Sequence, residues 1–289
     1  MDDTQWLTLM ERIDRGRCTP FIGAGACAPT LPLASDIAGR WVGDGGYPLG
    51  DAHDLARVAQ YLAVRHDAMY PKERVQKELS GLGPPDFDDP REPHAVLADL
   101  PLPLYITTNY DDFMTEALRH RRREPRQEIC KWNRSYPVQQ EPAPMQDDKS
   151  YKPTPANPIV FHLHGRLGMP ESLVLTEDDY LDFLVTLSER PDTLPHQVRG
   201  ALSSSSLVFV GYSLADWDFR VLHRGLVVRG DPSLRRVSVT VQLRQTHEAE
   251  EYLDSYFRRI DVSVYWGDAN TFAAELRERW ERYRRKAGA

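Results

Sequence analysis

The segment Ile106-Thr107-Thr108-Asn109-Tyr110-Asp111 begins as a buried strand and turns polar where a helix is expected to start. The apolar residues of this strand extend back to Leu102. Asp111 begins a helical pattern with acidic residues in its first turn, where the helix dipole favours negative charge. A strand that ends in polar groups before a helix is typical of an open parallel sheet, which binds ligands at the carboxyl ends of its strands. We therefore expect Asn109 to lie at a ligand-binding edge.

Three other segments have a comparable form. Pro20-Phe21-Ile22-Gly23-Ala24-Gly25 and Leu207-Val208-Phe209-Val210-Gly211-Tyr212-Ser213 change from an apolar strand to a glycine turn, and Ile159-Val160-Phe161-His162-Leu163-His164-Gly165 ends in a histidine. Small residues in such a turn let backbone amides approach a ligand closely. The third glycine of the dinucleotide fingerprint of dehydrogenases is missing, so that class of enzyme is not indicated.

Strand patterns alternate with helical patterns over the whole chain. This alternation predicts an α/β fold, a Rossmann-like parallel sheet with helices on both faces. The stretch from about residue 44 to 100 is helical throughout, and we interpret it as a helical insertion module of the kind that forms a lid or one wall of a cleft. A length of 289 residues fits a single catalytic domain over residues 1–289.

Composition argues against several classes of protein. The net charge of −7 speaks against direct nucleic-acid binding. The acidic start of the chain lacks the pattern of a signal peptide and no apolar run is long enough for a membrane span, so we expect a cytoplasmic protein without membrane contact. The cysteines Cys18, Cys27 and Cys130 form no Cys-x-x-Cys pair, and we expect no metal. His94 shows no ligand spacing and receives no role.

Four motifs occur in order along the chain: Gly23-Ala24-Gly25, Thr107-Thr108-Asn109-Tyr110-Asp111, His162-Leu163-His164-Gly165 and Gly211-Tyr212-Ser213-Leu214. Together they resemble the sirtuin superfamily, and most closely the bacterial sirtuin-like NAD-cleaving domains of antiphage defence systems. The resemblance spans roughly residues 18 to 267. It implies a Rossmann-like sheet with a helical module and NAD bound across the strand edges between them.

The resemblance also implies roles for particular residues. Asn109 and His164 would form the catalytic pair, and Asp111 would support the nicotinamide end of NAD. The full set of NAD-binding residues expected on this basis is Gly23, Ala24, Gly25, Thr107, Asp111, Gly211 and Ser213. The three residues of the first turn would contact phosphate or ribose, and Gly211 and Ser213 would line the adenosine side. The chain departs from protein-deacylating sirtuins because it lacks their zinc ribbon, and Cys27 stands where the family usually has serine.

The chemistry of these residue types suits cleavage of the nicotinamide–ribose bond. The leaving group is already cationic, so the site mainly has to position the substrate. Asn109 offers an amide donor and acceptor without charge, and His164 is the candidate base. Two other interpretations remain open at this stage: Asn109-Tyr110-Asp111 could merely cap a helix, and one of His162 and His164 could be structural, a role that we assign to His162.

We therefore expect a NAD glycohydrolase with NAD as its substrate. A NAD-dependent protein deacylase and a non-catalytic module that senses NAD or ADP-ribose are the alternatives. An unrestrained NAD hydrolase would drain the host's own cofactor, so the resemblance implies control by homo-oligomerisation or by a partner protein of a defence system. The helical module and the proline-rich segment 135–158, which leads into the strand before His164, are the candidate gates.

Overall fold

The computed structural model describes residues 1–133, 150–212 and 238–287. The strands of these residues are β1 (Cys18–Ile22), β2 (Leu104–Thr107), β3 (Arg126–Ile129), β4 (Ile159–His162), β5 (Ser206–Val210), β6 (Ser238–Gln242) and β7 (Val262–Trp266). All seven described strands are parallel and form one sheet in the order β3-β4-β2-β1-β5-β6-β7. The predicted Rossmann-like parallel sheet is confirmed.

The described helices connect these strands in the manner that a parallel sheet requires. They are α1 (Asp3–Asp14), α2 (Ala34–Gly45), α3 (Leu55–Arg65), α4 (Tyr70–Leu79), α5 (Pro93–Ala98), α6 (Phe113–His120), α7 (Glu177–Glu189), α8 (His196–Ser204), α9 (His247–Arg258) and α10 (Ala269–Ala287). In the part of the chain that the structure describes, none of them combines the length and apolarity that a membrane crossing needs.

Successive residues of each central strand point to opposite faces of the sheet, which is why these strands are apolar throughout. In β5, Val208 and Val210 join one hydrophobic cluster, whereas Leu207 and Phe209 join another. Helices α1, α5, α6 and α10 contribute to the first cluster, and helices α7, α8 and α9 contribute to the second. The two clusters cover the two faces, so the expectation of helices on both faces is confirmed.

A third hydrophobic cluster joins α2, α3 and α4. It contains Trp41, Val58, Leu62 and Val75, together with Leu173 from the segment after β4. Helix α5, although it lies within residues 44 to 100, packs instead in the cluster on the sheet. The part of this stretch that stands apart from the sheet is therefore α3 and α4, which pack with α2.

The strand order creates a switch point between β1 and β5. From β1 the chain passes to β2 on one side, and from β5 it passes to β6 on the other side, while β1 and β5 are neighbours in the sheet. Ligands of open α/β sheets bind in the crevice at the carboxyl ends of two such strands. The turns after β1 and β5, and the turn after the adjacent β2, are therefore the first places to look for a site.

Candidate active site

The turn after β1 packs directly against the end of β5. The Gly23 N–H donates to the Val210 carbonyl, and the Gly25 N–H donates to the Gly211 carbonyl, each at 2.9 Å. Gly211 has a φ of +81°, and a Cβ at this residue would lie 2.3 Å from the Ala26 nitrogen. Only glycine, which has no Cβ, lets the two turns approach this closely at that backbone conformation. The Gly25 amide is already paired within the protein, so packing of the two turns explains these glycines without a ligand.

Tyr212 links the three central turns and was missed by the sequence analysis. Its hydroxyl lies 2.7 Å from Thr108 Oγ1 and donates to the Ile22 carbonyl at 3.1 Å. No motif signalled this role, because the contact joins residues that are far apart in the chain.

Two other predicted NAD-binding residues belong to these turns. Ala24 is exposed at the turn after β1. Ser213 lies outside the described residues.

Asn109 is fixed at the carboxyl edge of the sheet by three hydrogen bonds from its backbone and side-chain nitrogens. Its backbone N–H donates to Thr107 Oγ1 at 3.0 Å, and that hydroxyl donates to the Ile22 carbonyl at 3.2 Å. Its side-chain Nδ2 donates to the Gly23 carbonyl at 3.1 Å and to Cys27 Sγ at 3.0 Å. Within the described residues Oδ1 accepts no hydrogen bond. The structure thus brings Asn109, Thr107 and Gly23 together, as expected.

Asp111 closes the same group of contacts from the start of α6. Its Oδ1 accepts a hydrogen bond from the Phe113 N–H at 3.0 Å, which satisfies one of the free amides of the first helical turn. Its Oδ2 accepts a hydrogen bond from Cys27 Sγ at 3.2 Å. Asp111 is 9% exposed. The capping interpretation of Asn109-Tyr110-Asp111 therefore holds for Asp111, whereas the Asn109 side chain binds the Gly23 carbonyl and Cys27.

His94, which received no role from the sequence, lies in the same group of contacts as Cys27 and Asp111. Its Nε2 lies 3.9 Å from Cys27 Sγ, and its Nδ1 lies 2.7 Å from Glu92 Oε1. Burial alone would lower the pKa of His94, but the hydrogen bond and charge of Glu92, with the charge of Asp111, raise it above its ordinary value. The signal in the sequence was an ionisable residue inside an otherwise apolar helix, since all of α5 is buried.

Burial and the nearby Asp111 charge raise the pKa of Cys27 well above its ordinary value. The thiol is therefore protonated and unreactive in the protein as it stands. Cys27 occupies the position where the resembling family usually has serine, and it acts here as a hydrogen-bonding centre between Asn109 and Asp111. The thiol donates to Asp111 and accepts from Asn109, the two hydrogen-bonding roles that a serine hydroxyl can also fill.

His164 is buried beneath aromatic rings of α7. The rings of Tyr180 and Phe183 lie 5.5 and 5.0 Å from its centre, each nearly perpendicular to it. Its Nε2 is fully buried without a hydrogen-bond partner. Burial lowers the pKa of His164 to about 3, so the imidazole is neutral at ordinary pH. A neutral imidazole with an unpaired nitrogen is chemically a proton acceptor, but the rings cover it in this conformation.

His162 occupies a different environment from His164. Its Nδ1 lies 3.4 Å from the Asn109 carbonyl, and its Nε2 lies 3.9 Å from Asp112 Oδ1. Arg166 binds both carboxylate oxygens of Asp112, at 2.9 and 2.6 Å. Burial, with the charge of Arg166, lowers the pKa of His162. These contacts fit the structural role assigned to His162 from the sequence.

Asn109 and His164 follow neighbouring strands at matching positions. Thr107 of β2 pairs with His162 of β4, and each proposed catalytic residue comes two positions later. The Leu163 N–H continues the pairing by donating to the Thr107 carbonyl at 2.8 Å. Among the described residues no hydrogen bond joins the two side chains. The sheet therefore brings the two residues to one edge but leaves His164 separated from the Asn109 contacts in this conformation.

A parallel sheet with polar side chains at these strand ends is the architecture of an open α/β nucleotide-binding domain, and comparison with known families identifies which one. The SIR2-like domain family matches residues 103–260, more than half of the 289-residue chain. The chain belongs to this family. The matched range contains Asn109, Asp111, His164 and Gly211.

Similar curated proteins carry the name NAD(+) hydrolase ThsA. The protein of Acinetobacter baumannii (strain 532279) is 23% identical over 72% of this chain and 39% of its own length. That of Bacillus cereus (strain MSX-D12) is 30% identical over 64% of this chain and 33% of its own length. The chain thus spans about a third to two fifths of the length of these relatives. A solved Sir2 enzyme structure shares 11% identity with a TM-score of 0.45, which is too low to argue from.

Proposed function

We propose that this chain is a NAD glycohydrolase, which cleaves the nicotinamide–ribose bond of NAD to give nicotinamide and ADP-ribose. The observation that carries the proposal is the placement of Asn109, which is held by its backbone and by Nδ2 while Oδ1 accepts no hydrogen bond from the described residues. The relatives named NAD(+) hydrolase support the same reaction. A rigid acceptor after β2, beside the switch point of the sheet, suits the orientation of a ribose hydroxyl or of the attacking water.

The reaction makes modest demands on acid–base chemistry. Cleavage passes through an oxocarbenium-like state, and nicotinamide leaves from a ring nitrogen that already carries positive charge, so neither a strong acid nor a metal is needed to expel it. The Asp111 carboxylate near this edge stabilises positive charge during the step. Asn109 contributes orientation, because its amide is neutral and its position is fixed by Thr107 and Gly23.

His164 acts as the base in this proposal. Its Nε2 has no partner in the described residues and can accept a proton from a ribose hydroxyl or from water. Such a role typically contributes about a hundred- to ten-thousand-fold in rate. Because Tyr180 and Phe183 cover the imidazole, α7 has to move relative to β4 before His164 can reach NAD. The covered state supports the idea that the enzyme is held inactive until it is triggered.

The turn residues supply the nucleotide-binding surface. Ala24, exposed at the turn after β1, is suited to close backbone approach by phosphate or ribose, and Thr107 supports the loop that carries Asn109. Gly23, Gly25 and Gly211 contribute by shaping the turn, since the amides of both Gly23 and Gly25 are paired within the protein. Ser213 keeps its proposed place on the adenosine side.

We further propose that the protein acts in the cytoplasm as an effector of antiphage defence by depleting NAD. Assembly into a homo-oligomer or contact with a defence-system partner would switch it on, because continuous hydrolysis would harm the host. The reaction involves no membrane and no direct nucleic-acid binding. The net charge of −7 supports the last point.

The proposal is tested by incubating the purified chain with NAD, with and without an acetylated peptide, and separating the products by chromatography. Release of nicotinamide and ADP-ribose without peptide is the expected result. Nicotinamide release that requires the peptide, with formation of an acetylated ADP-ribose, would replace the proposal by a protein deacylase. Tight NAD binding without any cleavage would replace it by a sensing module.

A further inference from the structure

Three metal-binding atoms converge beside the proposed active site. They are Cys27 Sγ, His94 Nε2 and a carboxylate oxygen of Asp111, and all lie within 4.8 Å of one another. Cys27 Sγ is 3.2 Å from Asp111 Oδ2 and 3.9 Å from His94 Nε2. We propose that these three side chains form a binding site for a single zinc ion. The site shares Asp111 with the proposed NAD-binding residues, but it is assigned from the side-chain geometry and its metal binding is measured without NAD.

The two separations from the sulfur are close to those of tetrahedral coordination. Zinc lies about 2.3 Å from a thiolate sulfur and about 2.0–2.2 Å from imidazole nitrogen or carboxylate oxygen. Tetrahedral angles then place the sulfur roughly 3.5 Å from the other two ligand atoms. The distances of 3.2 and 3.9 Å lie on either side of this value. The two pairs that include the sulfur therefore need shifts of only a few tenths of an ångström, and binding brings the imidazole nitrogen and the carboxylate oxygen, which lie within 4.8 Å of each other, to the roughly 3.4 Å that tetrahedral angles require.

Each of the three ligands is already held by a second hydrogen bond that leaves the converging atom available. Glu92 Oε1 binds His94 Nδ1 at 2.7 Å, so the imidazole turns Nε2 toward Cys27. The Phe113 N–H occupies Asp111 Oδ1 and leaves Oδ2 facing the sulfur. A carboxylate on the far nitrogen of a histidine ligand is the arrangement that orients histidines at zinc sites.

The sulfur of Cys27 also has a second hydrogen-bonding partner. Asn109 Nδ2 donates to Cys27 Sγ at 3.0 Å, and an N–H donor to sulfur stabilises a metal-bound thiolate as well as it does a thiol. Coordination would require only that the Cys27 proton leave, because zinc binds the thiolate. All three ligands are at most 9% exposed, so the ion would be enclosed by protein.

Zinc is the metal that this set of donors favours. One thiolate, one imidazole and one carboxylate form a mixed set that suits zinc, whereas calcium and magnesium prefer oxygen donors alone. Three protein ligands leave the fourth position for water. The sequence analysis expected no metal because the cysteines are widely separated, and that argument does not apply to a site built from one cysteine and two residues of other types. An ion here would join the turn after β1, helix α5 and the start of α6.

The site is tested with the purified chain, stripped of metal and titrated with Co²⁺ and then Zn²⁺ in the absence of NAD. The expected result is one tightly bound Co²⁺ per chain with the near-ultraviolet absorption of a cobalt–thiolate bond, displaced by one equivalent of Zn²⁺. Cys27→Ser should abolish the thiolate band, and His94→Gln should remove tight binding. Glu92→Gln should weaken binding by roughly 10- to 100-fold, since it removes the carboxylate that supports His94 while the amide oxygen can still accept the Ala95 N–H that Glu92 caps at the start of α5.

Cys130→Ser is the matched control, because Cys130 is also a fully buried cysteine but lies outside the cluster. It should bind Co²⁺ as the unaltered chain does. Circular dichroism of each variant separates loss of the site from loss of the fold. No bound Co²⁺ in the folded chain, or the same thiolate band in Cys27→Ser, would overturn the proposal and leave a hydrogen-bonded cluster in its place. A chain that binds Co²⁺ yet leaves NAD intact would overturn only the proposed hydrolase activity.

Discussion

Asn109 Nδ2 donates a hydrogen bond to the carbonyl of Gly23 at 3.1 Å, although the two residues are 86 positions apart. The bond joins the turn after β2 to the turn after β1, its neighbour in the sheet. The side chain proposed to orient the ribose therefore also fixes the shape of the glycine turn. Replacement of Asn109 should therefore affect both NAD turnover and the stability of the turn after β1.

Replacement of Asn109 by alanine should reduce NAD turnover by about two orders of magnitude or more, because both orientation and the shape of the adjacent turn are lost. It should also lower the free energy of unfolding by roughly 1–3 kcal/mol, since the Gly23 carbonyl loses its buried donor. Steady-state kinetics and urea unfolding measure the two effects. Asn157→Ala is the matched control for stability, because Asn157 is an exposed asparagine whose side chain donates only to Glu124 at the surface, and it should leave the free energy of unfolding nearly unchanged.

Gly211→Ala should destabilise the protein severely. The new Cβ would lie 2.5 Å from the Gly23 carbonyl oxygen and 2.3 Å from the Ala26 nitrogen, and alanine is strained at a φ of +81°. We expect a loss of about 3 kcal/mol or more in the free energy of unfolding. Gly39→Ala makes the same chemical change within α2, where nothing lies within 4 Å, and should stabilise the helix by about 0.5–1 kcal/mol.

Equal effects of the two alanine substitutions in urea unfolding would contradict the contact described between the two turns. The comparison is independent of activity. It therefore tests the packing of Gly211 against the turn after β1 without reference to NAD.

The buried His164 should make the protein less stable as the pH falls. In the unfolded chain this histidine binds a proton near pH 6.5, whereas in the folded chain it stays neutral down to a pKa of about 3. Between these two pH values the unfolded state holds one more proton than the folded state. His164 should therefore lower the free energy of unfolding by about 1.4 kcal/mol for each unit by which the pH decreases. His164→Gln should remove that contribution. Unfolding curves with the same pH slope in both proteins would show that His164 titrates normally.

Removal of the Tyr180 ring should uncover His164. Tyr180 is only half-buried, so Tyr180→Ala should leave the fold intact while water reaches the imidazole. Because burial is the cause of the lowered pKa, the pKa of His164 should rise from about 3 toward its ordinary value. Nuclear magnetic resonance of the histidine ring protons follows this titration. Leu181→Ala, at the exposed next position of α7, should leave the pKa unchanged.

The sheet could be predicted from the sequence because each strand carries its own signal. The apolar run before Asn109 and the turn at Gly211 are local patterns, and the strand ends follow from them. The Cys27–His94 contact could not be predicted, since it joins residues 67 positions apart and depends on how α5 packs. The burial of His164 was also hidden, because the rings of Tyr180 and Phe183 come from a helix whose position on the sheet no local pattern encodes.

The central claim is tested most directly by measuring nicotinamide and ADP-ribose formed from NAD by the purified chain over a range of protein concentrations, beside Asn109→Ala and His164→Ala. The account predicts equal amounts of the two products from the unaltered chain, with activity per molecule rising as the chain assembles, and a loss of roughly two orders of magnitude or more in each variant. NAD that remains intact at every concentration although it binds, or turnover that is unchanged in both variants, would contradict it.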